Sequence, residues 1–195
     1  MKSVVGLLGG SFNPVHDGHV HISVEAKKRL GLREIWWMVS PQNPLKSTAD
    51  MAPFVKRFVD AKAMAKNHPF IRVTDIEQQT RTRYTVDTLR ALKKRFPRTQ
   101  FVWLMGADNL ATIHRWQEWA EIFALCPILV LDRSPFSHSA LRQKAALRFA
   151  QKRQPQRRLR AFSNCKLPSW GFVHIAKHPD SSTEIRARQK NLKIS

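Results

Sequence analysis

The chain has 195 residues but only two cysteines and no long apolar run. Cys126 and Cys165 are too few for a disulfide framework or a four-ligand zinc site, so both are expected to be reduced thiols. No segment approaches the roughly eighteen consecutive apolar residues of a transmembrane helix. The short apolar stretch near the N-terminus is interrupted by glycines and by Asn13-Pro14, unlike a secretory signal, so a cytoplasmic location is expected.

Acidic residues are also scarce. Lys and Arg number 34 against 14 Asp and Glu, which gives a formal net charge of +20. Such an excess favours anionic partners: nucleotides, nucleic acid or an acidic membrane surface. Residues 133–179, called the basic segment below, contain eleven Lys or Arg and no acid. The overall composition, 43% apolar and 25% charged, is typical of a globular protein and excludes wholesale disorder.

Short apolar runs alternate with segments of helical periodicity. The predicted strands are residues 4–8, 35–39, 70–73, 101–105, 127–131 and 172–175. The predicted helices are residues 17–30, 53–67, 85–96, 116–125 and 138–153, with a terminal helix from Ser182 or Thr183; residues 154–170 are expected to be irregular. Most strands are apolar throughout, which indicates a covered sheet. The predicted fold class is α/β: a doubly wound, mainly parallel sheet with helices on both faces, forming a single domain over residues 1–195.

Two of these helices carry predictions about individual residues. Asp17 is expected to cap the first helix, which Gly31 ends. In residues 53–67 an apolar stripe predicts the buried face, which comprises Phe54, Val55, Phe58, Val59, Ala63 and Met64. The residues off this stripe are Lys56, Arg57, Asp60 and Lys66.

The loop after the first strand is the first candidate site, because ligands of parallel sheets bind beyond the carboxyl ends of the strands. It reads Gly9-Gly10-Ser11-Phe12-Asn13-Pro14-Val15-His16-Asp17-Gly18-His19. The glycines allow a ligand to approach the backbone closely, and the start of the next helix offers N–H groups to phosphate. His16 and His19 are three residues apart, so both imidazoles can face one anion. The loop therefore predicts a phosphate site.

Other interpretations of this loop explain less. It is neither a Walker loop nor a Gly-x-Gly-x-x-Gly dinucleotide fingerprint. A zinc site formed by His16, His19 and His21 has no cysteine nearby, and Asp17 is better used as a cap. A tight turn alone would account for the glycines but not for the two histidines.

The loop resembles the phosphate-binding motif of the nucleotidyltransferase superfamily with a His-x-Gly-His signature. Residues 181–186, Ser-Ser-Thr-Glu-Ile-Arg, resemble its second motif, and the order and separation of the two motifs suit the bacterial nicotinate-nucleotide adenylyltransferases. Residues 40–46, 84–89 and 106–110 are also similar to segments of those enzymes. Asn13 and Asp180 depart from the usual pattern, which more often has Asp and an aliphatic residue there, and the basic segment is longer than in a minimal enzyme.

The resemblance implies a Rossmann-like fold and adenylyl transfer from ATP to nicotinate mononucleotide, with Mg²⁺ bound mainly through the ATP phosphates and no dedicated protein ligands. The implied catalytic residues are His16, His19 and Arg186. The implied ATP-binding residues are Gly9, Gly10, Ser11, Phe12, His16, His19, Gly106, Asp108, Ser182, Thr183 and Arg186. The implied substrate-binding residues are Asn13, Lys46, Tyr84, Thr85 and Trp116.

Several alternatives stay open at this stage. Nicotinamide mononucleotide and phosphopantetheine remain candidate acceptors, whereas the second motif of cytidylyltransferases is absent, which favours ATP over CTP. The competing roles are a helix cap for Asp108, a solvated lysine for Lys46 and core packing for Trp116. The basic segment is either a weak nucleic-acid-binding surface, a solvated surface, or a face toward a partner in a homo-oligomer.

Overall fold

One seven-stranded sheet forms the centre of the computed structural model, which describes residues 3–42, 51–132 and 137–176. The strands are β1 (Ser3–Gly10), β2 (Glu34–Val39), β3 (Ile71–Thr74), β4 (Thr99–Gly106), β5 (Ile128–Asp132), β6 (Arg153–Gln154) and β7 (Trp170–His174). Their order is β3-β2-β1-β4-β5-β7-β6, and every neighbouring pair is parallel. The predicted α/β fold with a parallel, Rossmann-like sheet is confirmed.

Short and medium helices connect the strands. They are α1 (Asp17–Leu30), α2 (Phe54–Ala65), α3 (Ile76–Gln79), α4 (Thr85–Arg95), α5 (Ala107–Thr112), α6 (Trp119–Leu125), α7 (Ser137–Leu141) and α8 (Lys144–Arg148). Three segments are 3-10 helices: Ile113–Arg115, Ala150–Lys152 and Gln156–Asn164. Within the described ranges, no helix is long and apolar enough to cross a membrane.

Apolar side chains cover both faces of the sheet. On β2, Trp36 belongs to the core cluster of one face and Trp37 to that of the other. Trp103 and Leu104 divide in the same way on β4. Successive residues of a strand point to opposite sides, so a sheet covered on both faces requires strands that are apolar throughout. This is the pattern from which the sheet was predicted.

The start of α1 differs from the prediction, which placed the cap at Asp17. The cap residue is His16, whose backbone is extended (φ −155°, ψ 165°), and Asp17 is the first helical residue. The Nδ1 atom of His19 lies 3.3 Å from the His16 backbone N–H and accepts from it. The C-terminal end agrees with the prediction: Gly31 has a φ of 67°, and its N–H donates to the Lys27 carbonyl at 2.9 Å.

The predicted buried face of α2 is wrong. Val55 and Val59 are 70% and 56% exposed, whereas Arg57, Ala61 and Ala65 are buried. These three residues are four apart and share one helix face. The two alanines allow the helix axis to approach the sheet closely, and the buried guanidinium finds backbone partners described below.

The basic segment also differs from the prediction of one helix over residues 138–153. The structure divides it into α7, α8 and the first of two 3-10 segments. Residues 154–170, predicted to be irregular, include the end of β6 and the 3-10 segment Gln156–Asn164, which is anchored by buried Leu159 and Phe162. These elements are too short for hydrophobic periodicity to reveal them.

Candidate functional site

A cavity of about 370 Å³ lies at the carboxyl ends of the central strands. The chain runs from β1 outward to β3 and then crosses back to β4 on the other side of β1, so the strand order reverses there. Ligands of open α/β sheets bind at such a switch point. The residues that line the cavity are Gly9, Gly10, Ser11, Ser40, Glu77, Arg83, Tyr84, Thr85, Trp103, Asn109, Arg115, Trp116 and Gln117.

The glycines that end β1 form part of this lining. A Cβ atom on Gly9 would lie 2.7 Å from Trp103 Cη2, which is closer than real Cβ contacts, so only glycine fits against that ring. At Gly10 a Cβ atom would lie 3.5 Å from the Phe12 ring, an ordinary contact. The structure therefore explains Gly9 by packing and leaves the prediction of a close ligand approach to Gly10 and Ser11.

Phe12 shapes the loop that follows. Its ring is buried, with its centroid 4.6 Å from that of His19 and 5.3 Å from that of Trp37. Its φ of 49° lies in the left-handed region, which costs a non-glycine residue about 1–2 kcal/mol. Because the ring is buried in the core, the predicted ATP contact of Phe12 is open only to its backbone.

His16 and His19 lie together at the start of α1. Their ring centroids are 4.0 Å apart, and His16 is buried. Nδ1 of His19 lies 3.3 Å from both the backbone N and the backbone O of His16, which fixes the orientation of its ring. The spacing that predicted two imidazoles on one side of the helix start is confirmed.

The two histidines and the cavity lie on opposite faces of the sheet edge. Phe12, which contacts His19, belongs with Trp37 to the core cluster of one face. Trp103 belongs to the cluster of the other face, and Tyr84 and Trp116 of the cavity pack against it. We call the group Phe12, His16, His19 and Trp37 the histidine side. The loop Gly9–Ser11 lies at the edge between the histidine side and the cavity.

The cavity wall opposite β1 contains three of the predicted substrate-binding residues. Tyr84 is the cap residue of α4 and Thr85 its first residue, so the N-terminal end of α4 lies at the cavity. The rings of Trp103 and Trp116 meet edge to face, with centroids 6.3 Å apart and planes at 89°. Trp116 thus lies at the cavity and also packs against the core.

Glu77 is a cavity residue that the sequence analysis did not identify. It follows β3, on the short helix α3, and is only 7% exposed. Burial raises the pKa of its carboxyl to about 7, and a hydrogen bond with the Ser40 side chain opposes part of that shift. Its position beyond the carboxyl end of a predicted strand is the signal that could have marked it.

Arg57 was missed as well, because it lay off the apolar stripe of α2. Its side chain is 2% exposed and donates hydrogen bonds to four backbone carbonyls, from the loops after β1 and β2 and from residue 52. The spacing of Arg57 with Ala61 and Ala65, at four-residue intervals, is the signal that could have placed it on the buried face.

Three other predicted residues lie beside the cavity without lining it. The Asn13 side-chain oxygen accepts from the Ala52 N–H at 3.1 Å. Gly106 ends β4 and caps α5, and the carboxylate of exposed Asp108 lies against it. The helix-cap alternative for Asp108 is thereby wrong, since Asp108 is the second residue of α5. Asn109 is the residue of this turn that reaches the cavity.

Four predicted residues lie outside the described residues: Lys46, Ser182, Thr183 and Arg186. The last described part of the chain nevertheless contacts α1. The imidazole Nε2 of His21 lies 2.9 Å from the Ala176 carbonyl oxygen, and Arg29 donates to the His174 carbonyl at 3.1 Å. The chain that leads to the second motif therefore leaves β7 on the same side as α1.

Histidine, cysteine and acidic residues do not cluster at this site. Over residues 3–42, 51–132 and 137–176, no group of three or more such side chains is placed to hold a metal ion. The nitrogen of His21 that contacts Ala176 faces away from a shared site with His16 and His19, which bears on the zinc alternative.

The fold and this site define a nucleotide-binding α/β protein, and the comparisons with known proteins specify its class. The family model described as "Cytidylyltransferase-like" matches residues 7–188. Relatives named "Probable nicotinate-nucleotide adenylyltransferase" include one from Cereibacter sphaeroides, 46% identical over 94% of this chain and 96% of its own length. Another, from Methylorubrum extorquens, is 44% identical over 94% and 99%. The chain therefore belongs to the cytidylyltransferase-like family of nucleotidyltransferases and, within it, to the nicotinate-nucleotide adenylyltransferases.

Solved structures agree with the fold. The nicotinic acid mononucleotide adenylyltransferase of Plasmodium falciparum complexed with APC has a TM-score of 0.69 at 19% identity, covering 95% of this chain and 83% of that one. The same enzyme complexed with NaAD has a TM-score of 0.68 at 21% identity, with the same coverage.

Proposed function

We propose that this chain transfers the adenylyl group of ATP to nicotinate mononucleotide, giving deamido-NAD and pyrophosphate in NAD biosynthesis. The observation that carries the proposal is the division of the sheet edge. An anion-binding helix start with two histidines lies on one side of the loop Gly9–Ser11, and an aromatic cavity lies on the other. Two substrates can therefore meet at that loop, and relatives at 44–46% identity carry the name of this activity.

The reaction needs no protein nucleophile. A phosphate oxygen of the mononucleotide attacks the α-phosphorus of ATP in line, a new P–O bond forms, and the bond from the α-phosphorus to the bridging oxygen breaks to release pyrophosphate. A phosphate dianion is already nucleophilic at pH 7, so the protein contributes positioning and stabilisation of developing charge.

The ATP phosphates are proposed to lie over the histidine side. His16 and His19 donate imidazole N–H groups to phosphate oxygens, and the loop from Gly9 to Phe12 and the start of α1 supply backbone N–H groups. Ser182, Thr183 and Arg186 are proposed to hold the outer phosphates, Arg186 through a forked, permanently charged contact. Ala176, which contacts His21, lies only six residues before Ser182.

The pyridine nucleotide is proposed to occupy the cavity. Trp116 stacks on the pyridine ring, Tyr84 and Thr85 contact the ring or its carboxylate at the N-terminal end of α4, and Lys46 binds the mononucleotide phosphate. Asn13, whose side chain holds the Ala52 backbone, supports this side of the site. Gly106 and Asp108 are proposed to face the adenosine, with Asp108 near the ribose.

Magnesium is proposed to enter as part of the MgATP substrate. Mg²⁺ keeps several waters and commonly binds through substrate phosphates with one or two carboxylates. The described residues contain no cluster of three ligands, and the exposed carboxylate of Asp108 is available at this edge. This donor set fits an ion held mainly by ATP.

The test is pyrophosphate release with MgATP and four acceptors in parallel: nicotinate mononucleotide, nicotinamide mononucleotide, phosphopantetheine and no acceptor. We expect strong preference for the nicotinate nucleotide. Preference for one of the other acceptors would replace the substrate assignment and keep the adenylyl transfer. Failure with all acceptors, in a protein that still binds MgATP, would contradict the proposed reaction.

A second proposed partner, nucleic acid bound through the basic segment, is favoured by one feature of the structure. Residues 156–164 pack beside α1 and complete a cleft of about 550 Å³ between the C-terminal end of α1 and the start of β2. The cations that line it are Lys27, Lys28, Arg33 and Arg160, and the described lining has no acid. The helix end accounts for the two lysines, since cations are favourable there, but not for Arg33 and Arg160.

Salt dependence tests the nucleic-acid proposal. Binding of a single-stranded RNA should weaken as salt rises, with a log–log slope of about −0.7 per phosphate contacted. Arg33→Glu and Arg160→Glu should each weaken binding and reduce the slope by about one unit, whereas Lys56→Glu on α2 serves as the matched control. Binding that depends on His19 instead of the cleft would contradict an independent surface.

A further inference from the structure

Arg57 is a buried cation with no acidic partner within the described residues. Its side chain is 2% exposed, at the first turn of α2, and its guanidinium carbon lies 5.6 Å from the centroid of the Phe54 ring. Burial lowers the pKa of the guanidinium, which nevertheless stays charged because its ordinary pKa is so high. A buried charge is costly unless every polar atom is satisfied, so its hydrogen bonds are informative.

All the hydrogen bonds printed by this geometry go to backbone carbonyls of three chain segments. Nη1 donates to the Ser11 carbonyl at 2.6 Å and to the Ser40 carbonyl at 2.8 Å. Nη2 donates to the Pro41 carbonyl at 2.9 Å, and Nε donates to the Ala52 carbonyl at 2.9 Å. One planar group thus joins the loop after β1, the loop after β2 and the chain that enters α2.

Two of these acceptors belong to cavity residues. Ser11 and Ser40 both line the cavity, and they come from neighbouring strands. Further hydrogen bonds strengthen the same junction: the Ser40 N–H donates to the Gly10 carbonyl at 2.9 Å, and the Ala52 N–H donates to Asn13 at 3.1 Å. The distance between the two loops is therefore set largely by the guanidinium of Arg57.

We propose that Arg57 is a positioning residue that holds the loops after β1 and β2 at the spacing required for the two substrates to react. The proposal rests on the proposed function, which places ATP at the first loop and leads the chain from the second loop to Lys46. Arg57 touches neither substrate in this scheme. It acts through the Ser11 and Ser40 backbones, and its unpaired positive charge additionally favours anions at that edge.

The fork of arginine is needed for this role. A lysine ammonium has three donors on one atom and cannot span four carbonyls that arginine reaches with three separate nitrogens. Replacement by an apolar residue would leave all four carbonyls without this partner. Because reacting atoms must be held close and in line, a displacement of about 1 Å in one loop can lower turnover about 10²-fold.

The experiment compares Arg57→Ala and Arg57→Lys with Lys56→Ala, which removes an exposed cation from the adjacent position of α2. For each folded variant, kcat and both KM values are measured, together with MgATP binding from tryptophan fluorescence. We expect kcat/KM to fall about 10²-fold in Arg57→Ala, with both KM values raised, and to recover in part with dilute guanidinium but not with NaCl of equal ionic strength. Arg57→Lys should be intermediate, and Lys56→Ala unchanged.

A purely structural role has a different signature. Lower melting temperatures for Arg57→Ala and Arg57→Lys, with kcat and both KM values of the folded protein unchanged, would overturn the proposal. If Arg57→Ala does not fold, unchanged kinetics of Arg57→Lys decide against it in the same way. The fluorescence titration separates this result from failure of the proposed function: an inert wild-type protein whose MgATP affinity still falls in Arg57→Lys would refute the reaction but support the positioning role.

Discussion

The histidine side and the cavity share one loop but differ in how they are built. On the histidine side the rings are packed against one another, with His16 and His19 4.0 Å apart over a buried Phe12. The cavity is open and mixed in character, with aromatic rings, two arginines and the buried carboxyl of Glu77 in its wall. The first region suits a polyanion held by fixed donors, and the second suits a ring that stacks and a group that is read by polar contacts.

The difference teaches that charge is not what distinguishes the site. The net charge of +20 reflects exposed lysines and arginines over much of the chain, and the basic cleft has more cations than the cavity. What the sheet edge has instead is fixed geometry: a capped helix start, a loop held by Arg57 and a helix end at Tyr84. Preorganised donors contribute more to catalysis than a solvated positive surface does.

The largest expected effect belongs to the histidine side. His19→Ala should lower turnover by about 10²–10³, because it removes a donor that acts on charge developing in the transition state. Steady-state kinetics with MgATP and nicotinate mononucleotide measure it, and His68→Ala, after α2, is the control. If the comparison of the two regions is right, the KM of the nucleotide acceptor changes little; near-normal turnover would break it.

A smaller effect is expected from the buried carboxyl in the cavity wall. The pKa of Glu77 is raised from 4.5 to about 7, so the unfolded chain ionises first and the free energy of unfolding falls as pH rises from 4.5 to 7. Glu77→Gln removes this loss. The variant should match the wild type near pH 4 and exceed its free energy of unfolding by about 3 kcal/mol at pH 8.

Urea unfolding across that pH range measures the effect of Glu77→Gln. Glu34→Gln, at a half-buried position at the start of β2, is the matched control and should show no such divergence. Parallel pH profiles for Glu77→Gln and the wild type would show that the cavity wall does not hold a protonated carboxyl. In that case the histidine side and the cavity would not differ in this respect.

The smallest expected effect sharpens the division of the two substrates. Trp116→Ala should weaken the acceptor by about 1–3 kcal/mol, the usual contribution of an aromatic ring stacked on a base, and leave the KM of ATP unchanged. Trp116→Phe should recover part of the loss. Separate titration of each substrate measures this, and an equal change in both KM values would place ATP in the cavity as well.

Sequence patterns predicted most of the fold for a clear reason. Runs such as Ile35–Val39 and Ile128–Leu131 are apolar at every position, which only a sheet covered on both faces requires. Gly31 ended α1 as expected, because a left-handed residue was needed there. Short elements such as β6 and the pieces of the basic segment were not predicted, since two to five residues carry too little periodicity.

The site was predicted in part. His16, His19, Tyr84, Thr85 and Trp116 lie where motif and strand order placed them, at one sheet edge. Their roles stay predictions, as do those of the residues beyond Ala176. The division of this edge into two sides could not be foreseen, because it depends on which face of β1 each side chain meets.

The amino-acid sequence by itself determined the parallel α/β architecture, the family and the location of the phosphate loop, because each depends on local pattern or on residues adjacent in the chain. Tertiary structure alone decided the roles of Arg57 and Glu77. A guanidinium on a surface-like helix position and a carboxyl after an edge strand become buried only when α2 and α3 pack against the central loops. Their chemistry then follows from backbone carbonyls and desolvation supplied by residues distant in sequence.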